Sequence, residues 1–189
     1  MSRGPAVPDP ARRARYEALF AEVYEPLQRY VRRRSAPDAV DDIVAEALTI
    51  AWRRLDEVPE GMALPWCYGV ARRCLANHRR GTARRTQLVS RLHRERPIPS
   101  PEADARWDGE PDHALAAALA RLDDDEREIV RLSAWEALAP RDIALVLGIS
   151  ANAASIRLHR VRSKLTAALG GKESHVAGHR PGEHMKEAR

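Results

Sequence analysis

The sequence predicts an all-α protein made of two small helical domains joined by a flexible linker. Charged residues form 31% of the 189 positions and aromatic residues only 5%, with a single Phe, a balance that favours alanine- and leucine-rich helices over sheets. Apolar residues recur at helical spacing in both halves, and a proline-rich acidic stretch without periodicity separates them. We therefore divide the chain into a disordered tail at 1–13, a first domain at 14–86, a linker at 87–110, a second domain at 111–169 and a second tail at 170–189.

Three helices are predicted in the first domain. The first covers residues 16–31, where apolar side chains form one stripe, and Pro26 is expected to kink it. A capping pattern at 35–38 announces the second, and the third starts at Pro65 and continues to Arg80 with Trp66, Val70, Cys74 and His78 facing inward. The polar face of the second helix is left for solvent or a partner and carries Asp41, Asp42, Glu46 and Thr49.

Charge is distributed unevenly along this basic chain, whose net charge is +5. Residues 72–96 hold nine Arg against one Glu, whereas residues 97–126 hold nine acidic residues against two Arg. A basic stripe of this kind predicts an anionic partner. The absence of a long apolar run or a secretory signal in the sequence, together with two cysteines too far apart on one helix for a disulfide, predicts a cytoplasmic protein without membrane insertion.

Residues 140–165 have the layout of a helix-turn-helix. Ile143, Ala144 and Leu147 face inward, Gly148 makes the bend, and Ser150 caps the second helix. The outer face of that helix could enter a major groove, where Arg bonds guanine and Ser or His bonds bases or phosphates. The residues predicted to contact duplex DNA are Arg141, Ser155, Ile156, Arg157, His159, Arg160, Arg162 and Lys164. The alternative is an ordinary helical hairpin with a solvated basic face.

The third helix is rich in arginine and aromatic residues, a combination that suits single-stranded nucleic acid. The predicted contacts are Trp66, Tyr68, Arg72, Arg73, Asn77, Arg79, Arg80, Arg84 and Arg85. A solvated arginine face with Trp66 in the core is the competing interpretation. Cys67, Cys74 and His78 could share a stripe and bind zinc, but structural zinc normally takes four ligands, so small buried side chains are the favoured interpretation and no metal or cofactor is predicted.

The order of these segments resembles the extracytoplasmic-function sigma factors of bacterial RNA polymerase, over residues 16–169. Residues 40–46 resemble the family's A-E-D-L-V-Q-E, with Ala45 in place of glutamine. Residues 66–73 resemble W-L-Y-x-I-A-R-N, with Arg73 where asparagine is common near the flipped promoter base. Residues 122–130, 142–150 and 157–162 resemble sigma domain four.

The resemblance implies a promoter-reading subunit and no enzymatic activity. The polar face of the second helix, above all Asp42 and Glu46, would bind the clamp helices of the largest polymerase subunit, and sigma domain four would lie at the flap of the second-largest. The loop near residues 56–64 and the third helix would capture the melted minus-ten element, and the helix-turn-helix would read the minus-thirty-five element as duplex. The linker would be a placeholder for nascent RNA or a solvated spacer. An anti-sigma factor is a further candidate partner.

Two alternative functions are considered beside this one. A stand-alone helix-turn-helix regulator would use the same second domain, but this function does not explain the resemblance of the first domain to the sigma factors. A nucleic-acid enzyme or metal protein built around Cys67, Cys74 and His78 lacks a paired base and nucleophile, a glycine-rich phosphate loop and a full ligand set.

Overall fold

A computed structural model describes residues 9–93 and 113–170, and their regular structure is entirely helical, which confirms the all-α fold. The first domain contains α1 (Pro10–Arg32), α2 (Val40–Arg53) and α3 (Ala63–His93), with short 3-10 turns before and after α2. The second domain contains α4 (His113–Ala120), α5 (Asp124–Ala134), α6 (Pro140–Leu147) and α7 (Ala151–Gly170).

The first helix begins earlier than the sequence predicted. The Asp9 carboxylate accepts the backbone N–H of Ala11 at 3.2 Å, and Pro10 occupies the first turn, where its missing N–H costs nothing. Arg12 then pairs with Asp56 and donates to the Trp52 carbonyl at 2.8 Å. The prediction of a disordered tail is therefore wrong for residues 10–13, while residues 1–8 lie outside the described part of the chain.

The three helices of the first domain enclose an apolar core. Val23 and Leu27 of α1 have no exposed surface, and Ile43 of α2 and Val70 of α3 are each 2% exposed. The helix α1 continues through Pro26. The Ser35 side chain does not cap α2. Its hydroxyl donates to the Val31 carbonyl at 3.0 Å, and residues 37–39 make a 3-10 turn before the helix.

The third helix is longer than predicted at both ends. It begins at Ala63 and continues to His93, so residues 87–93, assigned to the linker, are helical. Gly81 lies within it without ending it, and the first proline after Pro65 is Pro97, so no residue in this stretch removes a helical hydrogen bond. The rest of the predicted linker, up to residue 110, lies outside the described ranges.

The helix α5 of the second domain begins with a local capping device. Asp123 and Glu126 form a capping box at the start of α5, with the Asp123 carboxylate accepting the Glu126 N–H at 2.8 Å. Ile129 and Leu132 of α5 are buried against Ile143 of α6 and the inner face of α7. The capping box confirms the predicted cap at Asp123.

The two domains lie in contact. The helix α6 packs on α3 at Gly69, where an added Cβ would lie 3.5 Å from the backbone of Val146. Most of the buried apolar residues of the two domains accordingly form one continuous cluster.

Candidate nucleic-acid interface

The turn between α6 and α7 has the geometry of a helix-turn-helix. Gly148 adopts φ 68° and ψ 37°, the left-handed conformation that glycine reaches without steric cost, and Ile149 donates to the Ala144 carbonyl at 3.0 Å. The Ser150 hydroxyl accepts the Ala153 N–H at 3.1 Å and caps α7. The predicted bend and the predicted cap are thus both present.

One face of α7 packs inward and the opposite face is open to solvent. Ala154, Leu158 and Val161 are at most 5% exposed and pack on the second domain's core. The predicted base-reading side chains all lie on the exposed face, and Ile156 is one of the exposed large hydrophobic residues. Within the described residues, the side chains of Ser155, Arg157, His159 and Arg160 form no hydrogen bond or ion pair, so their polar groups are available to a partner.

The other cations assigned to the duplex contact have partners inside the chain. Arg162 donates to the Ser133 hydroxyl at 2.9 Å, Lys164 pairs with Glu126, and Arg141 pairs with Asp142 at 3.3 Å. The Arg141 side chain is nevertheless highly exposed. These exposed pairs cost little to break, because water screens them.

The arginine-rich part of α3 forms a continuous polar stripe. Residues 73, 77, 80 and 84 recur at spacings of four, three and four, which places them on one side of the helix over roughly 16 Å. All four are exposed, and Arg80 donates to the Asn77 carboxamide oxygen. We call Arg73, Asn77, Arg80 and Arg84 the arginine stripe. Arg79 and Arg85 are exposed beside it.

The two aromatic residues assigned to the melted strand are buried in this arrangement. Trp66 is 8% exposed with the Arg54 guanidinium over its ring, and Tyr68 is 2% exposed, stacked on Tyr30 at a centroid distance of 4.6 Å. Arg72 is half-buried and pairs with Asp125 of the second domain at 3.6 Å. Neither ring presents a free face on which a base could stack.

The polar face of α2 is exposed as predicted from its spacing. Asp41, Asp42, Glu46 and Thr49 are all exposed, while Ile43, Val44 and Ala47 are buried. Thr49 donates to the Ala45 carbonyl at 2.8 Å. Asp41 and Asp42 form no ion pair in the described part of the chain and lie in the first turn, where the helix dipole stabilises negative charge.

The cysteines are part of the core. Burial raises the pKa of the Cys67 thiol to about 12 and that of Cys74 to about 11, with the carboxylate of Glu46 adding to the second shift. No three metal-ligating side chains come together in residues 9–93 or 113–170.

A buried ionic cluster between the domains was missed by the sequence reasoning. Arg34 of the first domain pairs with Glu128 at 3.2 Å and with Glu136 at 3.0 Å, and the Tyr30 hydroxyl donates to Glu128 at 3.1 Å. Arg33 also pairs with Glu136, at 3.2 Å. We call Tyr30, Arg33, Arg34, Glu128 and Glu136 the interdomain cluster. Its partners are about a hundred positions apart, so no local sequence signal reveals it.

The fold and the two basic surfaces define a two-domain nucleic-acid-binding protein with a helix-turn-helix. Residues 112–165 match the family model described as Sigma-70, region 4. The chain is 31% identical to the RNA polymerase sigma factor CarQ of Myxococcus xanthus over 166 residues, covering 86% of this chain and 93% of CarQ. It is 30% identical to the sigma factor NccH of Alcaligenes xylosoxydans xylosoxydans over 152 residues, covering 76% and 80%. The protein belongs to the extracytoplasmic-function sigma factors, whose members initiate transcription with core RNA polymerase at promoter DNA.

Solved structures share the fold. The sigma factor RpoE of Bartonella quintana, in complex with the anti-sigma factor NepR, has a TM-score of 0.56 at 23% identity, covering 82% of this chain and 96% of that one. CnrH in complex with the cytosolic domain of CnrY has a TM-score of 0.52 at 23% identity, covering 82% and 88%. In the described part of this chain, no helix combines the length and apolar character needed to cross a membrane.

Proposed function

We propose that this sigma factor reads the minus-thirty-five element as duplex through α7 and the minus-ten element as a melted strand through α3. The observation that carries the proposal is that two faces, one on each domain, expose unpaired or weakly paired cations. Each face lies on a different helix, so the two can contact different stretches of one promoter. The protein acts by binding, with core polymerase supplying the chemistry.

The exposed face of α7 is suited to the major groove. Arg160 lies at its centre with no partner in the described residues, and Arg can bond both O6 and N7 of guanine. Ile156 is 43% exposed and could contact a thymine methyl group. Arg157 and Arg162 flank this face and would hold phosphates, as would Lys164 once it leaves Glu126.

The arginine stripe on α3 is suited to the backbone of a melted strand. Its exposed residues cover roughly 16 Å, and their cations are weakly engaged within the chain. Unstacking a base costs a few kcal/mol, which contacts to phosphates and to an aromatic ring must offset. Tyr68 and Trp66 would supply such stacking only after their rings separate from Tyr30 and Arg54 of the first domain.

The exposed acidic face of α2 is proposed as the site for core polymerase, through the clamp helices of its largest subunit. Sigma domain four is proposed to meet the flap of the second-largest subunit. An anti-sigma factor is a further proposed partner, since the relative RpoE was solved with one. The proposed location is the cytoplasm, where core polymerase works.

Transcription with core polymerase tests the proposal against the stand-alone regulator. Purified protein should bind genomic promoter fragments weakly alone and start transcripts at defined positions once core enzyme is added, because two small domains on a linker need core to fix their spacing. The protein with both Arg80→Ala and Arg84→Ala should keep duplex binding but lose open-complex formation. Equally tight and specific DNA binding with and without core would support the regulator instead.

A further inference from the structure

We propose that Arg12 and Arg15 of α1 are positioning residues for minus-ten recognition, because they fix the base of the segment that joins α2 to α3. We call this segment, residues 54–62, the α2–α3 loop. The inference rests on the proposed function and deepens it, since it concerns how the melted strand is met at the start of α3. Neither arginine contacts DNA itself in this arrangement.

Arg12 contacts the point where α2 ends and the loop begins. Its guanidinium pairs with the Asp56 carboxylate through Nη1 and donates from Nη2 to the Trp52 carbonyl at 2.8 Å. That carbonyl is one of the last four of α2, which have no partner within the helix. The guanidinium carbon also lies 5.4 Å from the centroid of the Trp52 ring. One side chain therefore connects the first turn of α1 to the last turn of α2 and to the loop.

Arg15 contacts the same loop one helical turn further along α1. Its Nη1 lies 3.5 Å from Oδ1 of Asp56, and its Nη2 donates to the Val58 carbonyl at 3.3 Å. The Asp56 carboxylate thus binds both arginines, Arg12 at Oδ2 and Arg15 at Oδ1. Leu55 and Val58 are buried. The base of the loop is therefore held both by its own apolar side chains and by α1.

The tip of the loop is exposed and has a defined backbone. Pro59 to Gly61 are exposed, and the Met62 N–H donates to the Pro59 carbonyl at 3.1 Å. Gly61 adopts φ 66°, in the left-handed region, where an added Cβ would point into open space. The Arg54 guanidinium lies over the Trp66 ring at 5.8 Å, which connects the base of the loop to the first turn of α3.

The tip lies at the end of a path that the arginine stripe defines. The helix α3 begins at Ala63, directly after the tip, and Arg73 of the stripe lies ten residues further on, roughly 15 Å along the helix axis. A melted strand whose phosphates contact the stripe has to extend by only a few nucleotides to reach the tip. Because Trp66 and Tyr68 are buried, the exposed tip is the accessible surface for a flipped base at this end of α3.

The two arginines affect the position of the loop more than the stability of the domain. The side chains of Arg12, Arg15 and Asp56 are 29%, 51% and 72% exposed, so water screens their pairs and each adds little to the free energy of unfolding. Two arginines on one carboxylate nevertheless restrict the loop to fewer conformations, which reduces the ordering that DNA binding must supply. Loss of these contacts should therefore change DNA recognition without unfolding the first domain.

Three single variants release the loop, and a neighbouring arginine supplies the control. Arg12→Gln and Arg15→Gln each remove contacts to the loop, and Asp56→Asn removes the carboxylate that they share. The arginine variants lower the net charge by one and Asp56→Asn raises it by one, so an effect common to all three does not come from net charge. Arg13→Gln is the matched control, because Arg13 pairs with Glu17 within α1.

The measurement is the selection of transcribed promoters from a library with a randomised minus-ten element, with core polymerase and the full chain. Where the parent prefers one base by about tenfold at the position that the loop captures, the three loop variants should prefer it by only about twofold. The Arg13→Gln control should keep the preferences of the parent. Core affinity, binding to the duplex minus-thirty-five element and thermal unfolding should stay close to those of the parent in all four variants.

The outcomes separate this inference from the proposed function. If the parent directs core-dependent transcription and the loop variants keep its minus-ten preferences, the arginines do not position the loop and only the inference fails. If the arginine variants weaken all minus-ten sequences alike and lower the salt dependence while Asp56→Asn does not, the arginines contact phosphates and positioning is again overturned. A parent that starts no core-dependent transcripts overturns the proposed function and the inference with it. If one loop variant does not fold, the other two decide.

Discussion

Arg34 and Glu136 stand 102 positions apart in the sequence and form an ion pair of 3.0 Å in which the two side chains are 6% and 4% exposed. The Arg34 guanidinium carbon also lies 3.7 Å from the centroid of the Tyr30 ring. Burial acts to lower the pKa of Arg34, but the neighbouring Tyr30, Glu128 and Glu136 outweigh it and raise that pKa. The guanidinium of Arg34 therefore stays charged at neutral pH.

The coupling between these two residues is the first prediction. Arg34→Met and Glu136→Gln should each destabilise the protein, because each leaves a buried charge without its partner. The double variant should cost less than the sum, with a coupling free energy of about 1–3 kcal/mol in denaturant unfolding. The exposed pair Arg13 and Glu17, four residues apart on α1, is the control and should couple by only about 0.2–0.5 kcal/mol. An equally small value for the buried pair would mean that the domains are already apart in solution.

Short-range signals made the second domain largely predictable from sequence. Gly148 is the residue that a left-handed helix end requires, and Ser150 and Asp123 cap the helices that follow them. Each of these signals acts within about four residues, so it can be read along the chain. The exposed face of α7 follows from the same helical spacing.

Long-range contacts were not predictable from the sequence. Nothing near Arg12 indicates that it pairs with Asp56, which is what extends the first helix to Pro10. Likewise, the sequence predicted that Tyr68 contacts the melted DNA strand, whereas the ring is buried and stacked on Tyr30. Such contacts depend on how separate helices pack, and a periodic pattern identifies only which face is buried, not what buries it.

The recognition helix provides the second prediction. Arg160→Ala should weaken binding to the minus-thirty-five element by about 1–3 kcal/mol and relax the preference at one base pair, as a base-edge contact does. Arg162→Ala should weaken binding to all sequences alike and lower the salt dependence of DNA binding. The hydrogen bond from Arg162 to the Ser133 hydroxyl holds it beside the domain, so we expect it to contact a phosphate and not a base. Selection on randomised upstream elements is the measurement. Unchanged base preferences with Arg160→Ala would assign Arg160 to a phosphate.

The thiols provide the third prediction. Burial raises the pKa of Cys67 from an ordinary 9.0 to about 12, so the folded state binds a proton that the unfolded state has lost in that interval. The stabilisation is fully present below about pH 9 and is lost as pH rises toward about 12. Stability against denaturant should therefore fall across this window, and the variant with Cys67→Ala and Cys74→Ala should fall less steeply. At pH 8 both thiols should react with a thiol reagent only as fast as the protein opens, so rapid labelling of the native state would contradict their burial.

The acidic face of α2 provides the last prediction. Asp42 and Glu46 are four residues apart on an exposed stripe, and the opposite face of the helix is already occupied by Ile43, Ala47 and Ala51. Reversing both charges with Asp42→Arg and Glu46→Arg should cost about 0.5 kcal/mol of folding stability or less, as exposed substitutions do. Against a basic docking surface, the same change replaces attraction with repulsion and should cost several kcal/mol of core-polymerase binding.

A second charge reversal separates docking from a general effect of charge. Glu17→Arg with Glu25→Arg changes the net charge by the same amount on the outward face of α1, where both side chains are largely exposed. This control should leave core affinity and runoff transcription close to those of the parent, apart from the weak helix pairs that it disrupts. Core affinity, runoff transcription and thermal unfolding are measured on the same preparations. If the α2 variant folds and binds core as tightly as the control, Asp42 and Glu46 do not belong to the polymerase interface, and docking must use another surface of the first domain.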